Sequence, residues 1–322
     1  MKQTMRVFHS PDHCREALGY CVATLGKYDG MHLGHQRILD QVLALGRQLG
    51  LPTVVILSEP QPEEFFKPTS APVRLCPFDD KVEFLAHYGL DAVLRMEFDA
   101  ALSQQSAESF ASDYLGERLG ARALVVGDDF RFGRQRGGDF MLLQRMGTRC
   151  GFTAYAVSGC LLEGERVSSS AVREYLARGD CARVARLLGR PFSLRGEIVR
   201  GRQLGRQLDM PTANVALHTS ALPLCGIYVV EASVNGVAYP ALASIGYKPT
   251  VSVTPEPSLE VHLLDFSADL YGRIMTVHFL HKLRDEQKFA DLAALRGAMA
   301  ADLVAARDYW RRAAASDLNH KI

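Results

Sequence analysis

Residues 20–36 constrain the fold of this chain more than any other part of its sequence. An apolar, β-rich run from Tyr20 to Leu25 stops at Gly26, residues able to turn tightly follow, and a long amphipathic helical pattern begins at Gly34. The order predicts a strand, a glycine turn and the start of a helix.

The core of this stretch is His32-Leu33-Gly34-His35, with two imidazoles three residues apart at the predicted helix N-terminus. We expect both rings on one side of the first turn, where unpaired backbone N–H groups and the helix dipole also favour an anion. A nucleotide phosphate fits such a site. A chance pair of solvent-facing histidines is the alternative, and zinc binding lacks a third ligand nearby.

The composition limits the partners that the chain can have. With 37 basic and 36 acidic residues the net charge is +1, so we expect neither nucleic acid nor a membrane as a partner. Seven scattered cysteines without a CxxC pair, and the lack of a signal-peptide core or an eighteen-residue apolar run, predict a soluble cytoplasmic protein. The 322 residues suffice for two domains, and the oligomeric state is not predicted.

From residue 20 to about residue 157, short apolar runs alternate with amphipathic helical patterns. This alternation predicts an α/β domain with a parallel sheet, whose ligands lie beyond the carboxyl ends of its strands. After the first strand, the runs are Val54–Leu57, Ala92–Leu94, Ala123–Val126 and Thr153–Val157, and the helical patterns are Gly34–Leu49, Asp79–Tyr88, Ser106–Leu119 and Asp139–Met146.

Three further motifs in this half carry polar or aromatic groups. Pro60 and Pro62 are expected to hold residues 58–62 extended, which by itself suits a rigid connector. Residues 126–133 combine two carboxylates, an arginine and two aromatic rings, which suits a charged surface turn or a platform for ring stacking. The serines at 168–170 precede a helical pattern and suit N-cap positions.

Gly189-Arg190-Pro191-Phe192 ends the helical patterns, and we place a domain boundary after residue 190, giving domains 1–190 and 191–322. Alternating strands follow, and Asn235-Gly236 is a type I′ hairpin signal. These strands predict a small closed antiparallel β-barrel with a terminal helix laid over it. The strands are Leu194–Val199, Gly226–Val234, Val237–Ala243, Leu259–Leu264 and Ile274–Leu280, and the helix is about Gln287–Arg311.

Two segments of the second half carry candidate chemistry. The basic, glycine-containing loop 200–214 ends in Pro-Thr-Ala-Asn, where Thr212 and Asn214 offer oxygen ligands for Mg²⁺ and its nucleotide. A flexible surface loop fits the same residues. Glu260 and His262 share one face of a predicted strand, as they would in any half-exposed strand.

Residues 26–36 resemble the signature of the HxGH nucleotidyltransferases, and Pro-Thr-Ala-Asn resembles the mark of riboflavin kinases. With five motifs in order over about residues 20 to 310, the chain resembles the bacterial bifunctional riboflavin kinase/FAD synthetase family. The resemblance implies a Rossmann-like N-terminal domain that transfers AMP from ATP to FMN, giving FAD and pyrophosphate. It implies a C-terminal barrel that phosphorylates riboflavin to FMN with Mg-ATP, each step being a direct in-line displacement.

The resemblance also implies roles for residues of the N-terminal half. His32 and His35 would contact the ATP phosphates and stabilise charge during transfer, and Arg173 would steady the leaving pyrophosphate. The remaining implied contacts are to ATP by Gly26, Asp29, Gly34, Asp129, Ser169 and Ser170, and to flavin by Pro60, Pro62 and Phe132.

In the C-terminal half the resemblance implies that Glu260 is the general base of the kinase. Gly201, Thr212 and Asn214 would bind ATP, with Mg²⁺ held by Thr212 and Asn214 nearby. His262 is interpreted as structural.

Lys27-Tyr28 stands where the family usually has Asn-Phe, and Asp209 where glycine is usual. One alternative is therefore that only one of the two activities survives, and another is a flavin- or nucleotide-binding regulatory protein. A barrel that binds single-stranded nucleic acid ranks low, because few aromatic residues accompany the arginine-rich loop.

Overall fold

The computed structural model describes residues 5–201, 210–217, 219, 221–248 and 256–319 of the chain. Its contacts divide the chain into two compact units, Met1–Ser169 and Ser170–Ile322. None of the described helices combines the length and the apolar character that crossing a membrane requires.

The first unit is built on a six-stranded parallel sheet, which confirms the predicted fold class. Its strand order is β1-β4-β3-β2-β5-β6, so the order reverses between β2 and β5, where ligands bind in sheets of this type. The strands are β1 Arg6–Phe8, β2 Cys21–Gly26, β3 Thr53–Glu59, β4 Ala92–Glu97, β5 Ala121–Gly127 and β6 Thr153–Val157.

Helices cover both faces of this sheet and bury two separate apolar clusters against it. The pattern at residues 106–119 predicts one regular helix, but the structure continues α6 as a π-helix over Phe110–Arg118. The helices are α1 Pro11–Leu18, α2 Leu33–Leu49, α3 Pro62–Phe66, α4 Phe78–Tyr88, α5 Ala100–Gln104, α6 Ala107–Ser109 and α7 Phe140–Cys150, with a 3₁₀ turn at Arg134–Arg136.

The prediction of an extended loop at residues 58–62 is wrong at both ends. Ser58 and Glu59 complete strand β3, and Pro62 begins helix α3. The proline ring pre-sets the helical φ angle at the first helical position, and Gln61 and Glu64 form a reciprocal capping box. The loop is therefore shorter and more ordered than the prolines suggest.

The unit boundary given by contacts lies near the start of helix α8, Ser169–Arg178, which is followed by α9, Cys181–Leu188. A short hairpin of β7, Leu161–Leu162, and β8, Glu165–Arg166, precedes them. Helix α9 packs on the barrel of the second unit, because its buried face lies against two barrel strands. The predicted boundary of the two activity domains after residue 190 stays a prediction.

The second unit contains a closed six-stranded barrel in the order β10-β13-β12-β11-β14-β9, as predicted. Asn235 and Gly236 have φ angles of 53° and 80°, which confirms the type I′ hairpin between β11 and β12. The strands are β9 Phe192–Val199, β10 Ala213–Val215, β11 Gly226–Val234, β12 Val237–Lys248, β13 Glu256–Leu263 and β14 Ile274–Arg284.

Helix α10, Leu292–Asn319, covers an apolar patch on the outer face of the barrel. Ala306 is fully buried against Ile227, Val229 and Leu242 of the strands. Arg284 and Asp302 add a two-pronged ion pair between strand β14 and this helix, with nitrogen to oxygen distances of 2.9 and 2.7 Å. The terminal helix is thus fixed to one side of the barrel.

Candidate functional site

The turn between β2 and α2 is folded tightly and anchored by buried side chains. Tyr28 and Met31 have positive φ angles of 49°, and Gly30 has a φ of 83°. Both non-glycine side chains are buried, and the Tyr28 hydroxyl hydrogen bonds to Thr24 Oγ1 at 2.6 Å. Tyrosine therefore replaces the usual phenylalanine here without an unpaired buried hydroxyl.

His32 is the N-cap of helix α2, and its side chain closes the helix end. Its Nδ1 accepts a hydrogen bond from the backbone N–H of His35 at 3.3 Å. Because an accepting nitrogen carries no proton, this bond assigns the proton of the neutral ring to Nε2. His32 can thus donate a hydrogen bond through Nε2.

The two imidazoles lie on the same side of the first turn, as the spacing predicts, and the structure shows that they also stack. Their ring centroids are 3.7 Å apart with an interplanar angle of 14°. Gly34 makes this possible, since a Cβ there would lie 3.2 Å from both Cε1 and Nδ1 of His32. A methyl group at this position would require the capping ring to shift by a few tenths of an ångström.

His35 is held neutral by its surroundings. Burial of the ring lowers its pKa well below the usual 6.5, and the neighbouring His32 and the positive charges of Lys81 and Lys27 lower it further. Its Nδ1 is buried and has no hydrogen-bond partner in the described part of the chain. An unsatisfied buried nitrogen at a helix N-terminus fits a hydrogen bond to a ligand.

Lys81 of helix α4 lies beneath this turn and was not predicted from the sequence. It is fully buried, and its Nζ donates to the backbone oxygen of Lys27 at 2.8 Å. Burial lowers its pKa, and the nearby carboxylate of Asp29 opposes that effect. The sequence does indicate that Lys81 is buried, because it occupies the apolar stripe of its helix four residues before the core residue Leu85.

Asp29 has structural partners in the same turn. Its Oδ1 accepts hydrogen bonds from the backbone N–H groups of Leu75 and Cys76, at 3.0 and 3.2 Å. The hydroxyl of Ser169 donates to its backbone oxygen at 2.8 Å. The structure therefore brings Ser169 to this turn, while contact of Asp29 with ATP stays a prediction.

Helix α8 carries two more predicted ATP residues. Ser170 is exposed, and Arg173 is half-buried on the same helical face as Ser169, four residues earlier. Ser170 and Arg173 belong to the second unit. Their part in the site stays a prediction.

The loop after β5 begins at the same edge of the sheet as the turn, because β5 neighbours β2. Asp129 is exposed and pairs with Arg166 at 2.6 Å. Phe132 is buried in the core, with the half-buried ring of Phe130 stacked on it at a centroid distance of 5.5 Å. Phe130, which the sequence reasoning did not single out, is therefore the more exposed of the two rings.

The loop after β3 also starts at this edge, since β3 neighbours β2 on its other side. Pro60 and Pro62 lead into helix α3, and Arg74 holds the segment through ion pairs with Glu59 and Glu64. Gly26, which ends β2, packs against the ring of Tyr28. Loops from three adjacent strands thus surround the stacked histidines.

The second predicted site lies on the outer face of the barrel. Glu260 faces Asn214 across the β10–β13 pair, and the Thr212 hydroxyl donates to Glu260 Oε2 at 3.2 Å. Gly201 lies against Asn214, whose side-chain nitrogen would be 2.3 Å from a Cβ at that glycine. The structure therefore brings together all four predicted kinase residues, whereas residues 202–209 of the same loop, including Asp209, lie outside the described residues.

His262 and Met210 hold this segment in place. His262 Nδ1 lies 2.9 Å from the backbone oxygen of Pro211, and a carbonyl can only accept, so the imidazole donates. Met210 is buried in the apolar patch beneath helix α10. The structure gives His262 a contact that suits its predicted structural role, but the role of Met210 was missed because its partners are distant in sequence.

A cavity of about 560 Å³ opens elsewhere in the first unit, at the carboxyl ends of β1 and β4. It is lined by His9, Asp99, Tyr114 and Arg118, among others, and by none of the predicted site residues.

Comparisons with known proteins agree with the order of the two units. A family model described as FAD synthetase matches residues 14–171, and one described as riboflavin kinase matches residues 188–310. A crystal structure of a macrolide-efflux protein from Streptococcus pneumoniae superimposes with a TM-score of 0.80 at 25% identity, covering 95% of this chain and 99% of that one. The two chains share the same fold.

Curated relatives cover nearly the whole chain. A bifunctional riboflavin kinase/FMN adenylyltransferase of Pseudomonas fluorescens is 47% identical over 89% of this chain and 92% of its own. The Escherichia coli (strain K12) protein of the same description is 43% identical over 90% and 93%. The chain therefore belongs to the family of bifunctional riboflavin kinases/FMN adenylyltransferases, with the adenylyltransferase domain preceding the kinase domain.

Proposed function

We propose that the turn of the stacked histidines is the site of adenylyl transfer and that the row around Glu260 is the site of riboflavin phosphorylation. The observation that carries the first assignment is the pair His32 and His35 at the N-terminus of α2, with a proton on one ring and an unsatisfied buried nitrogen on the other. Both rings and the unpaired N–H groups of the helix suit the oxygens of a triphosphate.

In adenylyl transfer, an oxygen of the FMN phosphate forms a bond to the α-phosphorus of ATP, and the bond from that phosphorus to the pyrophosphate oxygen breaks. His32 donates through Nε2 to a phosphate oxygen, and His35 offers a further hydrogen bond where negative charge develops. Arg173 holds the leaving pyrophosphate. The other proposed ATP contacts are Gly26, Asp29, Gly34, Asp129, Ser169 and Ser170, and the proposed flavin contacts are Pro60, Pro62 and Phe132.

In riboflavin phosphorylation, Glu260 accepts the proton of the ribityl 5′-hydroxyl as that oxygen bonds to the γ-phosphorus and ADP leaves. The carboxylate is half-buried and is joined to Thr212 by a hydrogen bond, so its orientation is defined. Gly201 has no side chain, and this leaves space beside Asn214 for the nucleotide. The reaction needs no covalent enzyme intermediate.

We propose Mg²⁺ as the metal of the kinase reaction, held by Thr212 with Asn214 nearby. The donor set fits, since the hydroxyl, amide and carboxylate oxygens on this face are the hard ligands that Mg²⁺ prefers. Among the described residues no group of three or more His, Cys, Asp or Glu side chains could hold a metal ion. When bound, the ion neutralises phosphate charge.

We propose the cytoplasm as the compartment, with riboflavin, FMN and ATP as the partners. All seven cysteines are free thiols, as expected in a reducing environment.

The assignment is tested by incubating the chain with riboflavin, ATP and Mg²⁺ and separating the products by chromatography. We expect FMN to appear first and FAD to follow from it. The same incubation with Glu260→Gln is expected to yield little of either product, while that with His35→Ala accumulates FMN. Loss of FMN in the His35→Ala reaction would contradict the separate sites.

A further inference from the structure

Lys27 lies between the turn assigned to ATP and the loop assigned to flavin. Its backbone oxygen is held by Lys81, but its side chain points to helix α3, where its Nζ lies 2.6 Å from Glu63 Oε1. The two side chains are 45% and 37% exposed, so the ion pair is open to solvent on one side. An incoming ligand can therefore reach the ammonium group.

Glu63 is an incompletely satisfied anion. Its second oxygen, Oε2, is buried and has no hydrogen-bond partner in the described parts of the chain. Although burial acts to raise its pKa, the hydrogen bond from Lys27 and the charges of Lys27 and Arg136 lower it, so the group is ionised. Glu63 is thus the single ion-pair partner of the Lys27 ammonium group among the described residues, and a more highly charged phosphate can replace it in that role.

The adenylyl-transfer reaction brings two anions together, and a cation beside them lowers their repulsion. A phosphate monoester such as FMN carries between one and two negative charges near pH 7 and must approach a triphosphate that is also negative. His35 is neutral, so its hydrogen bond supplies no full charge. Lys27 belongs to the same turn as the stacked histidines, and its ammonium group reaches Glu63 of helix α3, the helix that Pro62 begins.

We propose that Lys27 binds the 5′-phosphate of FMN during adenylyl transfer, its ammonium group leaving Glu63 for the phosphate when the flavin enters. The proposal rests on the assignment of this turn as the adenylyl-transfer site. It gives a function to a residue that stands where the family usually has asparagine. It also gives a reason for the ion pair of Lys27 and Glu63, which joins the histidine turn to helix α3.

The test compares Lys27→Met, Lys27→Arg and Glu63→Gln in steady-state assays of FAD formation from FMN and ATP. Arg118→Met is the matched control, because Arg118 forms an ion pair of similar exposure with Asp12 in the same unit. Riboflavin kinase activity of each variant reports on folding of the chain. His35→Ala, assayed in parallel, tests the site assignment independently of Lys27.

Lys27→Met is expected to raise the KM for FMN about ten-fold or more, which corresponds to the loss of one charged hydrogen bond. The KM for ATP should stay within about two-fold of the parent value. Lys27→Arg should recover most of this loss. Glu63→Gln should leave the KM for FMN equal or lower, since it removes the competing anion.

Equal KM values for FMN in Lys27→Met and the Arg118→Met control would overturn the proposal. A rise confined to the KM for ATP would overturn the choice of the FMN phosphate, and a matching rise in Glu63→Gln would reduce Lys27 to a structural ion pair. If His35→Ala keeps full FAD formation, the site assignment itself fails, which is a different result from a failure of Lys27 alone.

Discussion

The two proposed sites are built in different ways from the same kinds of groups. In the first unit, the stacked histidines depend on a backbone turn, a helix N-terminus and a glycine that admits the capping ring at 3.2 Å. In the barrel, Glu260 and Asn214 project from neighbouring strands, and their relative position follows from strand register. The first site should therefore be sensitive to small steric changes, and the second to loss of individual functional groups.

The largest expected effect is that of Glu260→Gln on riboflavin phosphorylation. Removing the general base while keeping the side-chain shape should lower kcat by about 10²- to 10⁴-fold. Formation of FAD from added FMN should not change, and parallel product assays measure both rates. Equal loss of both activities would break the comparison, because it would mean that one site serves both reactions.

The next effect is that of His35→Ala on adenylyl transfer. Loss of a hydrogen bond to developing charge should lower kcat for FAD formation by about 10²-fold, with FMN formation unchanged. His262→Ala provides the contrast, because it removes an imidazole from the barrel together with its contact to Pro211. This change should affect only the kinase activity. Unchanged FAD formation in His35→Ala would remove the imidazole pair from the mechanism.

Gly34→Ala tests the steric sensitivity of the first site. The added methyl group would press on the capping ring of His32, and we expect FAD formation to fall about ten-fold while FMN formation is kept. Gly297→Ala is the control, since a Cβ there meets nothing within 4 Å in helix α10 and should stabilise the chain by about 0.5 to 1 kcal/mol. Full FAD formation in Gly34→Ala would show that the cap tolerates displacement.

The smallest effect concerns stability at acidic pH. The pKa of His35 lies well below 6.5 in the folded chain, so the unfolded chain binds more protons and stability falls as the pH drops below about 6.5. His278 of the barrel contributes to the same loss of stability at acidic pH. Burial lowers the pKa of its ring, although the charge of Glu231 acts to raise it. Thermal unfolding between pH 7 and pH 5 should show a smaller loss for His35→Gln than for the parent chain. An identical slope would mean that His35 is not held neutral.

Local patterns predicted most of the framework. The parallel strands and the barrel strands appear where apolar periodicity places them, and the Asn235-Gly236 turn depends on its own two residues. The paired histidines were found for the same reason, since helical spacing alone puts them on one side of a turn.

Features that depend on distant partners could not be predicted. Lys81 reaches Lys27 across 54 residues, and His262 reaches Pro211 across 51. Strands β1 and β10 have three residues each and exist through pairing with a neighbour, so their sequences carry too little periodicity to identify them. The short helix that begins at Pro62 was missed because two nearby prolines indicate an extended loop. The helix start instead depends on the capping box formed by Gln61 and Glu64.

The central claim is that two separate sites on one chain act in succession on the same flavin. It is tested most directly by mixing Glu260→Gln with His35→Ala and measuring FAD formed from riboflavin, ATP and Mg²⁺. Either variant alone should make FAD from riboflavin at least about 10²-fold more slowly than the parent chain. The mixture should make it much faster, because FMN released by one variant is a substrate for the other. FAD formation at the parent rate by either variant alone, or no gain in the mixture although each variant keeps its remaining activity, would contradict the account.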